Sequence, residues 1–248
     1  MQPSEQPSIQ PSTQPSIQPT RRPTAVTVTF TVHVGKAADS APSRTDLPLC
    51  DGTAPSSCNL RTAWEYSLAY IYGLACPLRI LATIFLDDQL TAQVQSSTWG
   101  SLVLPSLFLT WASVCEETAM LVTIRGGAQS VVSGDGGTGS LFRITGPPQL
   151  VFKLQDLTVM GFGTTAVPRG GAVYVSSILA TLVFNVQFIN NRAARGGAVY
   201  ATATTVNMTH SNFTSNQVSE NQNALNASFF LYSSQLLTTP LLFSHPSP

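Results

Sequence analysis

Cleaving a polysaccharide by acid–base chemistry takes two carboxylates held roughly 5–10 Å apart. From residue 150 to its end, this chain offers only Asp156 and Glu220. Asp156, with Lys153 and Arg169 nearby to attract an acidic polymer, is the candidate for a catalytic carboxylate, but no second acid stands at a matching distance. Glu116 and Glu117 are adjacent, so on a strand they face opposite sides. His210 and His245 have no carboxylate at a corresponding spacing, and His33 falls on the polar side of an alternating stretch. No active site is read from these residues.

Metal chemistry is no better supplied. Cys50, Cys58, Cys76 and Cys115 include no Cys-x-x-Cys pair and no nearby His, so disulfides are favoured over zinc. The short gap between Cys50 and Cys58 suits a loop-closing bond, and Cys76 and Cys115 are candidates for a second. An even cysteine count in a Ser/Thr-rich chain points to an oxidising compartment. Gly134-Asp135-Gly136-Gly137 offers one Asp without a repeated partner for calcium, and no phosphate-loop Lys-Ser/Thr follows it, so it reads as an ordinary turn. No cofactor is expected. Asn207, Asn212 and Asn226 head Asn-x-Ser/Thr sequons and are candidates for glycosylation in a eukaryotic source.

Acids and bases balance at 12 each, and only 10% of the 248 residues are charged. Nucleic-acid binding therefore lacks its electrostatic footprint. A surface kept soluble by Thr and Ser rather than by charge suits exposed β-structure and is common outside the cell.

The elements that would position any site are organised around a repeat. Gly170-Gly171-Ala172-Val173-Tyr174 is followed by Phe188-Ile189-Asn190-Asn191; Gly196-Gly197-Ala198-Val199-Tyr200 is then followed by Phe213-Thr214-Ser215-Asn216. The Gly pairs recur after 26 residues and the Phe residues after 25. Such a period, filled with alternating apolar residues, predicts short strands stacked on copies of themselves. Phe188 and Phe213 are expected to stack in the core with Val159 above them, and Asn191 and Asn216 to form an amide ladder at the next turn. An antiparallel sandwich also has short strands and Gly turns.

The doubled motif resembles the repeat of the polymorphic outer membrane proteins, within the pectin-lyase-like group of right-handed parallel β-helices. Cys58-Asn59-Leu60-Arg61-Thr62-Ala63 resembles the Cys-x-Leu-Arg-x-Ala segment that opens extracellular β-helices. The resemblance implies an all-β, right-handed parallel β-helix, with a short cap helix at about Leu60–Tyr70 covering the first coil. An open stack needs such a cover.

In chain order, residues 1–24 form a tail with Gln-Pro-Ser repeats, expected to be extended and disordered. No basic start followed by an apolar run is visible at Met1, so an ordinary signal peptide is not read there. Residues 25–100 hold a strand at Val26–Val34, the Cys-containing loop and the cap. Tyr66–Leu86 approaches the length of a membrane span, but Gly73, Pro77 and Arg79 interrupt it, and Ile80–Leu86 reads better as a strand. The coils are expected over 101–248, incomplete at the C-terminus, with strands at Leu102–Leu104, Leu107–Thr110, Met120–Ile124, Ser130–Val132, Leu141–Ile144, Val151–Leu154 and Leu157–Met160.

Two functions are compatible with this. One is a non-catalytic extracellular or cell-surface β-helix of adhesive or structural role, contacting polysaccharide or other surface proteins, with no nucleic acid and no membrane contact except through an anchor elsewhere. The other is a polysaccharide lyase or glycoside hydrolase. The poverty of acids favours the first.

Overall fold

The computed structural model describes residues 24–39, 50, 58–127, 129–219 and 229–232; residues 1–23 and the Asn226 sequon lie outside them. Strands and helices are numbered along the chain. The larger sheet runs, in spatial order, β1 (Thr24–Val34), β2 (Pro77–Leu86), β5 (Ala119–Arg125), β8 (Leu150–Met160), β10 (Ala180–Ile189) and β13 (Thr205–Thr209). Beside it, β3 (Thr91–Val94) pairs β6 (Val131–Gly134), β6 pairs β8, and β14 (Asn212–Thr214) pairs β10. A second sheet holds β4 (Leu102–Val103), β7 (Phe142–Thr145), β9 (Val173–Ser176), β12 (Val199–Thr202) and β16 (Phe229–Tyr232), and β11 (Arg192–Ala193) pairs β15 (Gln217–Val218). The chain is predominantly β, its sheets are parallel, and from β5 onward it visits the two large sheets in alternation.

Period-two alternation explains the register. Val32, Ile84, Ile124, Leu154, Val183 and Met208 occupy one position in successive strands, and all are buried. Each such side chain contributes about 1.5–3 kcal/mol on burial, and a one-residue slip would turn the column to solvent. The neighbouring row on the opposite face reads Thr31, Thr83, Thr123, Lys153, Leu182, Asn207.

The doubled motif forms columns of its own. Val132, Val159, Phe188 and Phe213 share one register position. The Phe188 and Phe213 rings lie 14° from parallel with centroids 5.0 Å apart. At the following turn Asn191, fully buried, accepts from the Phe162 N–H and donates to Val159 O and to Asn216, whose own amide donates to Phe188 O. The two glycines of each pair play different parts. Gly170 and Gly196 adopt φ of +62° and +58°, open to glycine at little cost. A Cβ on Gly171 would strike the Gly197 carbonyl, so the second glycine sets how closely one pass lies on the next.

Helix α1 (Leu60–Tyr72) starts where Asn59 Oδ1 accepts from the Thr62 N–H at 2.8 Å and stops at Gly73. Leu60, Ala63, Trp64, Ser67, Leu68 and Ile71 are its buried stripe. Trp64 reaches the rings of Phe142 and Phe152, and Tyr70 that of Phe30. The helix thus lies among the inward faces of several strands rather than only across the end of β1. Arg61 is buried and grips Asp39 from two sides, Nε to Oδ1 at 3.1 Å and Nη2 to Oδ2 at 3.1 Å, while Nη2 also donates to Gly100 O.

Two strand expectations need correction. Leu107–Thr110 lies in a second helix, α2 (Ser106–Val114), because its core residues Phe108 and Ala112 are four apart, a helical spacing. Val151–Leu154 and Leu157–Met160 are a single strand, β8, whose burial pattern shifts around Asp156. Strands β1 and β2 join the larger sheet although they precede residue 101.

Disulfides join Cys50 to Cys58 and Cys76 to Cys115, with Cα separations of 5.2 and 5.1 Å. They indicate an oxidising, extracellular-type environment. Among the described residues no helix is long and apolar enough to cross a membrane; Tyr66–Leu86 divides between α1 and β2.

Candidate functional site

Asp156 sits at a corner built by the backbone. It adopts φ +55°, and the corresponding residues of the next two passes, Asn185 and His210, adopt +52° and +54°. Asp and Asn tolerate this left-handed conformation better than most residues. The corner lets Asp156 project beside Arg125 of β5 and Asn185 of β10. Asn185 Nδ2 donates to its Oδ1 at 3.0 Å, Gln155 Nε2 donates to its Oδ2 at 2.8 Å, and Arg125 Nε stands 3.6 Å from Oδ2. The basic partner of Asp156 is thus Arg125 rather than the sequence neighbour Lys153. Arg125 takes that place because Arg125 and Gln155 share a register position, one strand step from the corner.

Asp156, Arg125 and Asn185 line a groove of about 670 Å³ with Asp88, Gln129, Thr158, Gln187 and Phe85. Asp88 is the residue that sequence reading missed. Gly126 and Gly127 lie between the two acids: a Cβ on Gly126 would strike the Asp156 carbonyl, and one on Gly127 the Asp88 carboxylate. With β5 between β2 and β8, two strand spacings separate the acids along the stack, about 10 Å. No motif marks Asp88 in the sequence: β2 aligns with β5 through Phe85 and Arg125, but Asp87-Asp88 has no likeness to the glycines that follow β5.

Chemically, the groove offers hydrogen-bond donors and acceptors from Gln129, Thr158, Asn185 and Gln187 beside a paired Arg–Asp. That set suits hydroxylated ligands such as sugars. His33, about half exposed, is 3.7 Å from Asp87 and edge-on to Phe85. Its row continues through Phe85, Arg125, Gln155 and Phe184 to Thr209. His210 packs against Phe184 rather than against an acid.

The remaining candidates are dispersed. Among the described residues no cluster of His, Cys, Asp and Glu has the grouping to hold a metal ion. In the Gly134–Gly137 turn, Asp135 accepts from the Gly137 N–H at 3.0 Å. Asn212 is exposed, whereas the side-chain oxygen of Asn207 is buried with no hydrogen-bond partner. Glu116 lines a separate, mostly apolar cleft with Leu109, Pro147 and Leu179.

No protein-family model, curated protein or solved structure matches the chain.

Proposed function

We propose that this chain is a right-handed parallel β-helix of the polymorphic outer membrane protein type, and that it serves outside the cell or at its surface as a non-catalytic domain contacting glycans or other surface proteins. The fold reading is supported by parallel register in both sheets, the 25-residue return from β10 to β13 and the stacked Phe and Asn columns. The functional reading is carried by one observation: both oxygens of Asp156 are already engaged, by Asn185 on one side and by Gln155 and Arg125 on the other. A general acid or base must direct a lone pair or a proton at the substrate, and each oxygen of Asp156 already has acceptor capacity taken up within the protein. This carboxylate instead orders the wall of a polar groove.

A second reading, the carbohydrate-active enzyme, is favoured by Asp88, which lines the same groove. One experiment separates them. Purified protein is incubated with neutral glycans and with uronic-acid polymers, and both binding and new reducing or unsaturated ends are followed. Binding without products supports the non-catalytic domain. Products that vanish in both Asp88→Asn and Asp156→Asn establish the enzyme.

A further inference from the structure

We propose that the outward side of the second sheet binds an anionic polysaccharide, sulfated or uronic, through Arg143 and Arg169. This rests on the glycan-contact reading above and gives it a ligand class and a place distinct from the Asp156 groove.

Arg143 of β7, Tyr174 of β9 and Tyr200 of β12 occupy one register position in successive strands. The tyrosine rings lie 14° from parallel with centroids 5.8 Å apart. The Arg143 guanidinium carbon is 5.2 Å from the centre of the Tyr174 ring, and that of Arg169 is 5.2 Å from the centre of the Tyr200 ring. A guanidinium steadied by an aromatic ring keeps its planar fork of N–H donors in one place, so less freedom is lost when a carboxylate or sulfate docks on it.

Both arginines are exposed, and neither forms an ion pair among the described residues. The charge pattern of this stretch is one-sided. Between Asp156 and Glu220 the chain has no acid, yet it carries Arg169, Arg192 and Arg195. The backbones of Arg169 and Arg195 pair as an isolated parallel bridge, which sets the two positions side by side. Passes repeat at about 4.8 Å, so the cations form a series. A lone anion meets one fork, whereas a polymer of linked anionic sugars meets several at once and gains from multivalency. The balanced charge of the whole chain, 12 acids against 12 bases, speaks against a general polyanion binder.

The test titrates the disulfide-intact full chain with dextran sulfate, polygalacturonate, unmodified dextran and duplex DNA at low and high salt. The expected result is binding to at least one anionic polysaccharide that weakens with salt, exceeds binding to dextran and DNA, and drops about tenfold or more in Arg143→Gln/Arg169→Gln. The Lys/Lys double variant should recover only part of it, because lysine keeps the charge and loses the fork. Arg79→Gln, exposed on β2 and outside both the groove and the second sheet, should bind anionic polymers as wild type. The sulfated and uronic arms identify which anion is preferred. Thermal melts of each variant confirm folding, and the single Arg→Gln variants replace the double if it melts early. Undiminished binding in a folded Arg→Gln variant, or DNA bound as tightly as dextran sulfate, overturns the proposal. If dextran binds as well as the anionic polymers, this inference falls and the broader glycan reading stands. If no polysaccharide binds, the broader reading falls with it.

Discussion

Asn191 and Asn216 share one amide oxygen: Asn216 Oδ1 accepts from both the backbone N–H and the side-chain Nδ2 of Asn191, at 2.9 and 3.0 Å. The same Asn191 side chain serves Phe162 and Val159 of the preceding pass. One buried amide therefore ties three passes together. Asn191→Ala strands several buried polar groups at about 1–3 kcal/mol each, so a loss of at least ~2 kcal/mol is expected in denaturant unfolding. Asn216→Ala, at a half-buried position with fewer partners, should lose less.

Phe188 is fully buried between Val159 and Phe213, while Phe213 is half-buried. Phe188→Ala should cost about 3–5 kcal/mol as a truncation inside the core. Phe213→Ala should cost clearly less. Equal losses in urea melts would refute the inward stacking of this column.

The Arg61–Asp39 pair has side-chain exposures of only 4% and 1%. Removing one partner leaves a buried charge, so Arg61→Met and Asp39→Leu should each cost about 3–5 kcal/mol. Arg61→Met/Asp39→Leu should recover a large share, since neither charge then remains. A double-mutant cycle showing simple additivity contradicts the coupling.

Glu65, one helical turn after Arg61, has its carboxyl pushed above the ordinary value of 4.5, chiefly by burial; Arg61 opposes the shift and Asp39 adds to it. A raised folded-state value means that the folded protein holds this proton more tightly than the unfolded chain. The resulting stabilisation is present below about pH 4.5 and is lost as pH rises through the folded value. Glu65→Gln should therefore match wild type in acid and gain stability relative to it as pH climbs toward neutral. A stability difference that does not change with pH excludes this.

The two disulfides close loops of very different length, with sequence separations of 8 and 39. By loop entropy alone, losing Cys76–Cys115 should cost about 1.4 kcal/mol more than losing Cys50–Cys58. Melts of the paired Cys→Ala variants measure the order directly.

The sequence disclosed what repeats. Two copies of Gly-Gly-Ala-Val-Tyr and Phe-x-x-Asn were enough to place the Phe and Asn columns, because stacking turns equal spacing into vertical alignment. The expectation of α1 came from the resemblance of Cys58–Ala63 to the segment that opens extracellular β-helices; the Asn59 cap that starts the helix was not read. What it hid depended on pairs that occur once. Asp39 meets Arg61 across 22 residues of unrelated sequence, and nothing in either neighbourhood announces the other. Asp88 lies in an early pass without the glycine motif, so its place beside Asp156 emerges only when the register of β2, β5 and β8 is known. Leu107–Thr110 was misjudged because a short apolar run looks alike as strand or helix.

Along the larger sheet the sequence distance between paired strands shrinks, from Val28 with Ile80 at its first pairing to Ala180 with Thr205 between β10 and β13. A polypeptide leaving a ribosome or a translocation pore therefore releases its strands in the order in which they join. The helix and both disulfides belong to the earliest part of that order. Every later strand finds its partner already made and waiting, with little slack chain to draw in.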